Sequence, residues 1–224
     1  NTLGAAAGAL LTGYALLPAL GTLGSTGLAV ALNLVAALVA LRLAQRAAGS
    51  EVVNSASETL GPAATGDPID VRRGWVAVII LTVGGVLTLA LETTYVHLLA
   101  VVAGNSAYAF ALMLFCFLLG LGGGAAISRR FLRRGVTPGL GLATCQWGLA
   151  VMILLGLFAW DQIPAYFEDF ARYSGTKTFE QREFVRFVTC ALTMLPVSLF
   201  IGGAYPFAME LVGRAWPGKK LLAL

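Results

Sequence analysis

Apolar residues run through this chain in stretches near 20 residues, the length a helix needs to cross a hydrocarbon core of roughly 30 Å. Six such runs stand out: Thr2 to Leu20, Ser25 to Leu43, Trp75 to Ala103, Ala107 to Ile127, Leu140 to Trp160 and Phe184 to Phe207. The pattern predicts an all-α polytopic membrane protein with about six transmembrane helices. Residues 1–46 would hold two helices and residues 74–224 four more. Between them, residues 47–73 are rich in Ser, Thr, Gly, Pro and acids, which reads as a mobile linker. The uncharged turns GTLGS and AGNS join the first and second spans and the third and fourth.

Charge tests that count, because basic residues collect on the cytoplasmic side of membrane proteins. With the linker inside, eleven of the fifteen basic residues fall on one side: Arg42, Arg46, Arg72, Arg73, Arg129, Arg130, Arg133, Arg134, Arg214, Lys219 and Lys220. The other four lie in or next to the polar segment 161–183, beside five acids, and the two outer turns carry no charge. The net charge of +4 therefore follows topology and does not point to nucleic acid. With 58% hydrophobic and 12% charged residues, against about 25% charged in an ordinary soluble domain, a soluble enzyme is excluded. The reading is an integral protein of a bacterial inner membrane, with the linker and the RRFLRR loop cytoplasmic. Cys116, Cys145 and Cys190 are scattered through apolar runs without a CxxC and read as small hydrophobes. The chain starts at Asn1 without a leader and reads as a piece of a longer protein.

Smaller patterns refine the picture. In the outer segment Ile163, Phe167, Phe170 and Tyr173 recur at helical spacing opposite Glu168, Asp169 and Arg172, as in an amphipathic helix on the membrane surface or a lid over the bundle. Thr178 and Gln181 are spaced as a capping box, and Pro196 and Pro206 should bend the last helix. Gly4 with Gly8, and Gly120 with Gly124, have the GxxxG spacing that lets helices cross closely. Asn33, Asn105 and Gln146 are isolated polar residues suited to bridging helices, and Glu210 with Arg214 is an i, i+4 pair. GLGL at 139–142 follows no strand and is not a dinucleotide loop. No catalytic residues, metal ligands or cofactor-binding loop can be assigned, so these residues alone do not define an enzyme.

The chemistry concentrates at Glu92, the one acid in the third run. An ionisable group placed there is costly unless it faces a protein interior or a wet cavity, so it is a candidate proton or cation site. Tyr95, three residues on, shares its helix face. His97, the only His, is offset by about 140° around the helix and is directed elsewhere. The competing reading is a protonated Glu that packs against a neighbouring helix.

From this run onward, LALETTYVHLLAVVAGNSAYAFALMLFCFLLGLGGG resembles the membrane portion of spermidine synthase-like proteins. There, a helix with Glu and an aromatic three residues later leads into a Gly-Ser/Asn-x-x-Tyr-Ala turn and a glycine-ended helix. NTLGAAAGALLTGYALLPALG is similar to the segment closing the first membrane half of long members, and LFIGGAYPFAMELVG to a Gly-x-x-Phe/Tyr-Pro element. The resemblance implies an MFS-like (transporter-like) layout, the first two spans ending one half and the rest opening another. It carries over Glu92, Asn105, Tyr108 and Pro206; Tyr95 stands where Trp is frequent and His97 where Arg is common. Together these give an expected substrate site of Glu92, Tyr95, Asn105 and Tyr108. The family's aminopropyltransferase module, which takes decarboxylated S-adenosylmethionine, is not in this sequence. Three functions stay open: binding or moving polyamines for an attached or partner aminopropyltransferase, a proton-coupled transporter domain, and an accessory subunit of a membrane complex. The lipid bilayer is the partner common to all three.

Overall fold

The computed structural model describes residues 2–54, 68–103, 106–160 and 178–215, together with Gln162, Ala165, Glu168, Asp169 and Arg172. The described residues are almost all helical and include no strand: α1 (Thr2–Leu11), a π-helical turn (Thr12–Leu16), α2 (Leu17–Asn54), α3 (Pro68–Ala103), α4 (Ala107–Arg133), α5 (Pro138–Trp160) and α6 (Phe179–Ala215). Five helical stretches are long and apolar enough to cross a membrane, the first being Thr2–Arg42 taken as one. With no water in a bilayer core, a helix is the way to satisfy every backbone group within the segment. The hydroxyls along these spans follow suit: Thr82, Thr88, Thr93, Thr94, Thr189 and Thr193 each donate to the carbonyl four residues back.

The bundle is organised around α6. It packs most extensively on α4 and then on α3 and α5, while α1 lies against α4. Two clusters of buried side chains fill it. Tyr95, Leu99, Met113, Cys116, Cys190 and Met194 form one. Ala77, Leu142, Phe207, Ala208 and Val212 form the other, nearer the end of the bundle that carries RRFLRR. Outward-facing positions are apolar instead of polar, with Leu23 at 89% and Phe158 at 80% exposure, the surface expected where lipid is the solvent.

The α4–α6 contact rests on glycines. A methyl carbon added at Gly124 would lie 2.0 Å from the Leu199 carbonyl oxygen, and one at Gly202 would lie 2.1 Å from that of Leu121. Gly120 meets Ser198 in the same way. Backbone therefore touches backbone, which only residues without a side chain allow. Gly141 and Gly148 of α5 play a related part, since rings of Phe207 and Phe200 occupy the space of their missing methyls. GLGL is thus a helix face that receives an aromatic ring.

Several expectations need correction. Gly4 and Gly8 touch nothing that a methyl would disturb, so their GxxxG spacing is not a crossing point within the described bundle. The linker is shorter than its composition suggests, because helix continues to Asn54 and resumes at Pro68; residues 55–67 lie outside the described residues. The turn expected at GTLGS is a single break: Gly21 has φ 66° and ψ −174° while its neighbours stay helical. The last helix begins at Phe179 and runs through both prolines to Ala215, so Glu183 belongs to it and not to the polar segment. Asn33 donates to the Ala29 carbonyl of its own helix and bridges to no other helix among the described residues.

Other expectations hold. Glu210 and Arg214 pair at 3.1 Å. Glu168 and Arg172 pair in the outer segment, whose aromatic residues lie outside the described set. Thr178 accepts from the Gln181 amide at 3.4 Å, half of the expected box. The RRFLRR arginines are exposed at the end of α4. That helix stops where Gly135 takes φ 86° and the Gly135 and Val136 amides fold back onto the Leu132 and Phe131 carbonyls, a Schellman closure that favours glycine.

Candidate functional site

Among the acids of the membrane-spanning helices, Glu92 and Glu183 are in opposite circumstances. Glu92 is on α3, eleven residues before its end at Ala103, or about 17 Å at the helical rise. It is half-buried, beside the Leu91, Tyr95 and Val96 positions that pack into the core. No hydrogen bond or ion pair reaches its carboxylate among the described residues. Tyr95, on the next turn, is buried in the cluster with Cys116, Cys190 and Met194. His97 is exposed, its Nδ1 2.8 Å from the Thr93 carbonyl oxygen of its own helix. Asn105 lies outside the described residues, and its neighbour Ser106 caps α4 by accepting from the Ala109 amide at 3.2 Å.

Glu183 was missed by sequence reasoning, which grouped it with the acids of the polar segment. It is 8% exposed, one turn into α6. Its Oε2 accepts from the Tyr14 hydroxyl at 2.5 Å, and its Oε1 accepts from the Arg186 guanidinium. A buried carboxylate is tolerable with its lone pairs occupied and a countercharge beside it.

Tyr14 reaches this position from the π-helical turn, where the Leu17 amide bonds to the Thr12 carbonyl five residues back. Pro18 gives the local reason: it has no amide to donate and its ring crowds the carbonyl four residues earlier, which a widened turn relieves. Gly13 in the same turn lets the chain press onto α4, since a methyl carbon there would sit 2.3 Å from the Ala111 side chain. Tyr108, an expected site residue, packs its ring 5.1 Å from that of Tyr14 and 5.4 Å from that of Phe179.

Of the expected set, the structure thus places Glu92 and Tyr95 on one turn of α3 and Tyr108 in a separate aromatic group that borders Glu183. The missed signal was weak. Glu183 and Arg186 are close in sequence, but Tyr14 is 169 residues away from its partner.

No family model, curated protein or solved structure matches this chain. The chemistry is therefore read from the side chains. Glu183 is satisfied and joins α6 to the π-helical turn. Among the described residues nothing pairs with Glu92, and a carboxylate so placed in a membrane-spanning helix is a candidate for contact with a cation. Among the described residues no group of His, Cys, Asp and Glu is arranged to hold a metal.

Proposed function

We propose that this chain is the membrane portion of a spermidine synthase-like protein. In this reading it binds or moves a polyamine, or a similar small amine cation, for an aminopropyltransferase module attached to it or acting as its partner. One observation carries the proposal: Glu92, half-buried in a membrane-spanning helix, has no partner among the described residues. An ammonium group supplies the countercharge such a carboxylate lacks, and short contacts of that kind are strengthened where water is excluded. Tyr95, Asn105 and Tyr108 are the further residues assigned to the site. The proposed layout is MFS-like with six crossings, the chain turning at Gly21, and the arginine-rich end faces the cytoplasm across a bacterial inner membrane.

The test is equilibrium binding of radiolabelled spermidine to the purified protein in detergent. Glu92→Gln should weaken binding at least tenfold, about 1.4 kcal/mol. Unchanged affinity, in a variant that elutes and melts like the parent, would sink the proposal.

The unpaired carboxylate also favours a second reading, a proton-coupled transporter of another substrate. Proton flux in liposomes that Glu92→Gln abolishes, without any spermidine binding, would select it. A third reading, an accessory subunit, draws on α2, which among the described residues packs only on the turn before it. Stable co-purification with partner subunits that survives Glu92→Gln would select that one.

A further inference from the structure

We propose that the cleft between α3 and α5 binds an anionic phospholipid, with the phosphate at Arg72 and the first turn of α5 and one acyl chain lying between the helices. α3 and α5 both pack on α6, yet among the described residues their backbones do not approach each other closely. The gap holds a cavity of about 690 Å³ bordered by Arg72, Ile80, Gly139, Gln146 and Leu211. A second cavity, of about 300 Å³, shares Ile80 and Gln146 with it and continues past Gly84 to Thr88.

Length and charge identify the occupant. From Arg72 to Gly84 is twelve residues of α3, about 18 Å. Half of a roughly 30 Å hydrocarbon core, the depth of one leaflet, is about 15 Å. An acyl chain anchored at Arg72 therefore fits the length of the cleft, and the walls along it are almost wholly apolar. Among the described residues Arg72 is the one charged side chain bordering either cavity, and no acid joins it there. It is exposed and forms no ion pair among the described residues.

Gly139, which borders the same cavity as Arg72, opens onto free space, since a methyl carbon there would meet nothing within 4 Å. The Gly139 and Leu140 amides belong to the first turn of α5, where no preceding helical carbonyl is available to them. A guanidinium and a helix N-terminus that border one cavity favour the same anion. A zwitterionic headgroup would bring an ammonium into a site where no carboxylate among the described residues receives it.

The experiment is native mass spectrometry of the detergent-solubilised protein, titrated with dioleoyl-phosphatidylglycerol or with dioleoyl-phosphatidylcholine. Saturable binding that favours the glycerol lipid is expected. Arg72→Gln should weaken that lipid about fivefold, as expected of one basic residue near an anionic surface, and leave the choline lipid unchanged. Ala143→Phe, which fills the cleft from the α5 side, should weaken the glycerol lipid while Arg72 is intact. Inorganic phosphate should not compete. Equal affinity for the two lipids, or wild-type binding by either variant with an unaltered melting temperature, overturns the proposal. Full competition by phosphate also overturns it and makes this a site for free anions.

Discussion

Glu183 shows how much one side chain can depend on distant sequence. Its two acceptor oxygens are taken by Tyr14 and Arg186, and both partners would be left without an acceptor if the carboxylate were removed. Hydrogen bonds to charged groups contribute about 1.5–3 kcal/mol each, so Glu183→Ala should lower stability by about 2–4 kcal/mol, less than a simple sum because Arg186 is 22% exposed. Tyr14→Phe removes one bond and should cost about 1–2 kcal/mol. Thermal unfolding in detergent, followed by circular dichroism, measures both. An unchanged midpoint for Glu183→Ala would mean that this network does not hold α6 to the π-helical turn. The sequence made Glu92 conspicuous because it is alone in an apolar run. It hid Glu183 because acids and bases surround it, and a charged neighbourhood looks solvated until the helix boundary is known. Tyr108 entered the expected site by resemblance, whereas the two rings that pack on it come from segments far apart in the chain.

At the scale of elements, the two GxxxG spacings behave differently, and the contrast explains what such a spacing encodes. Gly120 and Gly124 meet Ser198, Leu199 and Gly203 on α6, a helix that also carries small residues at the crossing. Gly4 and Gly8 face open space. The motif makes one half of a contact, and its meaning depends on whether a second helix presents a matching flat face. Gly124→Ala should therefore force the crossing apart and cost about 1–3 kcal/mol or more. Gly8→Ala adds its methyl where nothing is displaced, and the better helix former should leave stability equal or raise it by up to about 1 kcal/mol. Melting curves of the two variants side by side check this, and equal losses at both positions would contradict the assigned crossing. Helix existence was readable from apolar run length, but the ends were not. The final helix starts five residues earlier than its apolar run because Glu180, Arg182 and Glu183 continue it, and charged residues mask a helix when hydropathy sets the boundary. The π-helical turn had a visible cause in Pro18, but a proline alone does not distinguish a widened turn from a bend.

For the whole molecule, the arrangement of α6 among α3, α4 and α5 was not readable, because every span is apolar on most sides and hydropathy does not say which face meets protein. The number of crossings was more accessible, and its open point is Thr2–Arg42. These 41 residues would form a straight rod of about 61 Å, twice the roughly 30 Å core, which would push a long apolar stretch into water. Gly21 lies near the middle, with a positive φ that costs other residues about 1–2 kcal/mol. It stands seven residues, about 10 Å, beyond Tyr14, which packs beside Glu183 near the start of α6. The chain should therefore reach the surface at Gly21 and turn back. Single cysteines in a Cys145→Ala background, treated with a membrane-impermeant maleimide in oriented vesicles, test this directly; Cys116 and Cys190 are fully buried and stay silent. Thr22→Cys should label from the same side as Glu180→Cys, and Arg42→Cys from the opposite side together with Arg133→Cys. If Thr22→Cys is unreactive from both sides while Arg42→Cys labels with Glu180→Cys, the segment crosses once and the six-crossing layout is wrong. An even count would also bring the arginines of α2 and α4 to one membrane face, where an electric potential that is negative inside retains them.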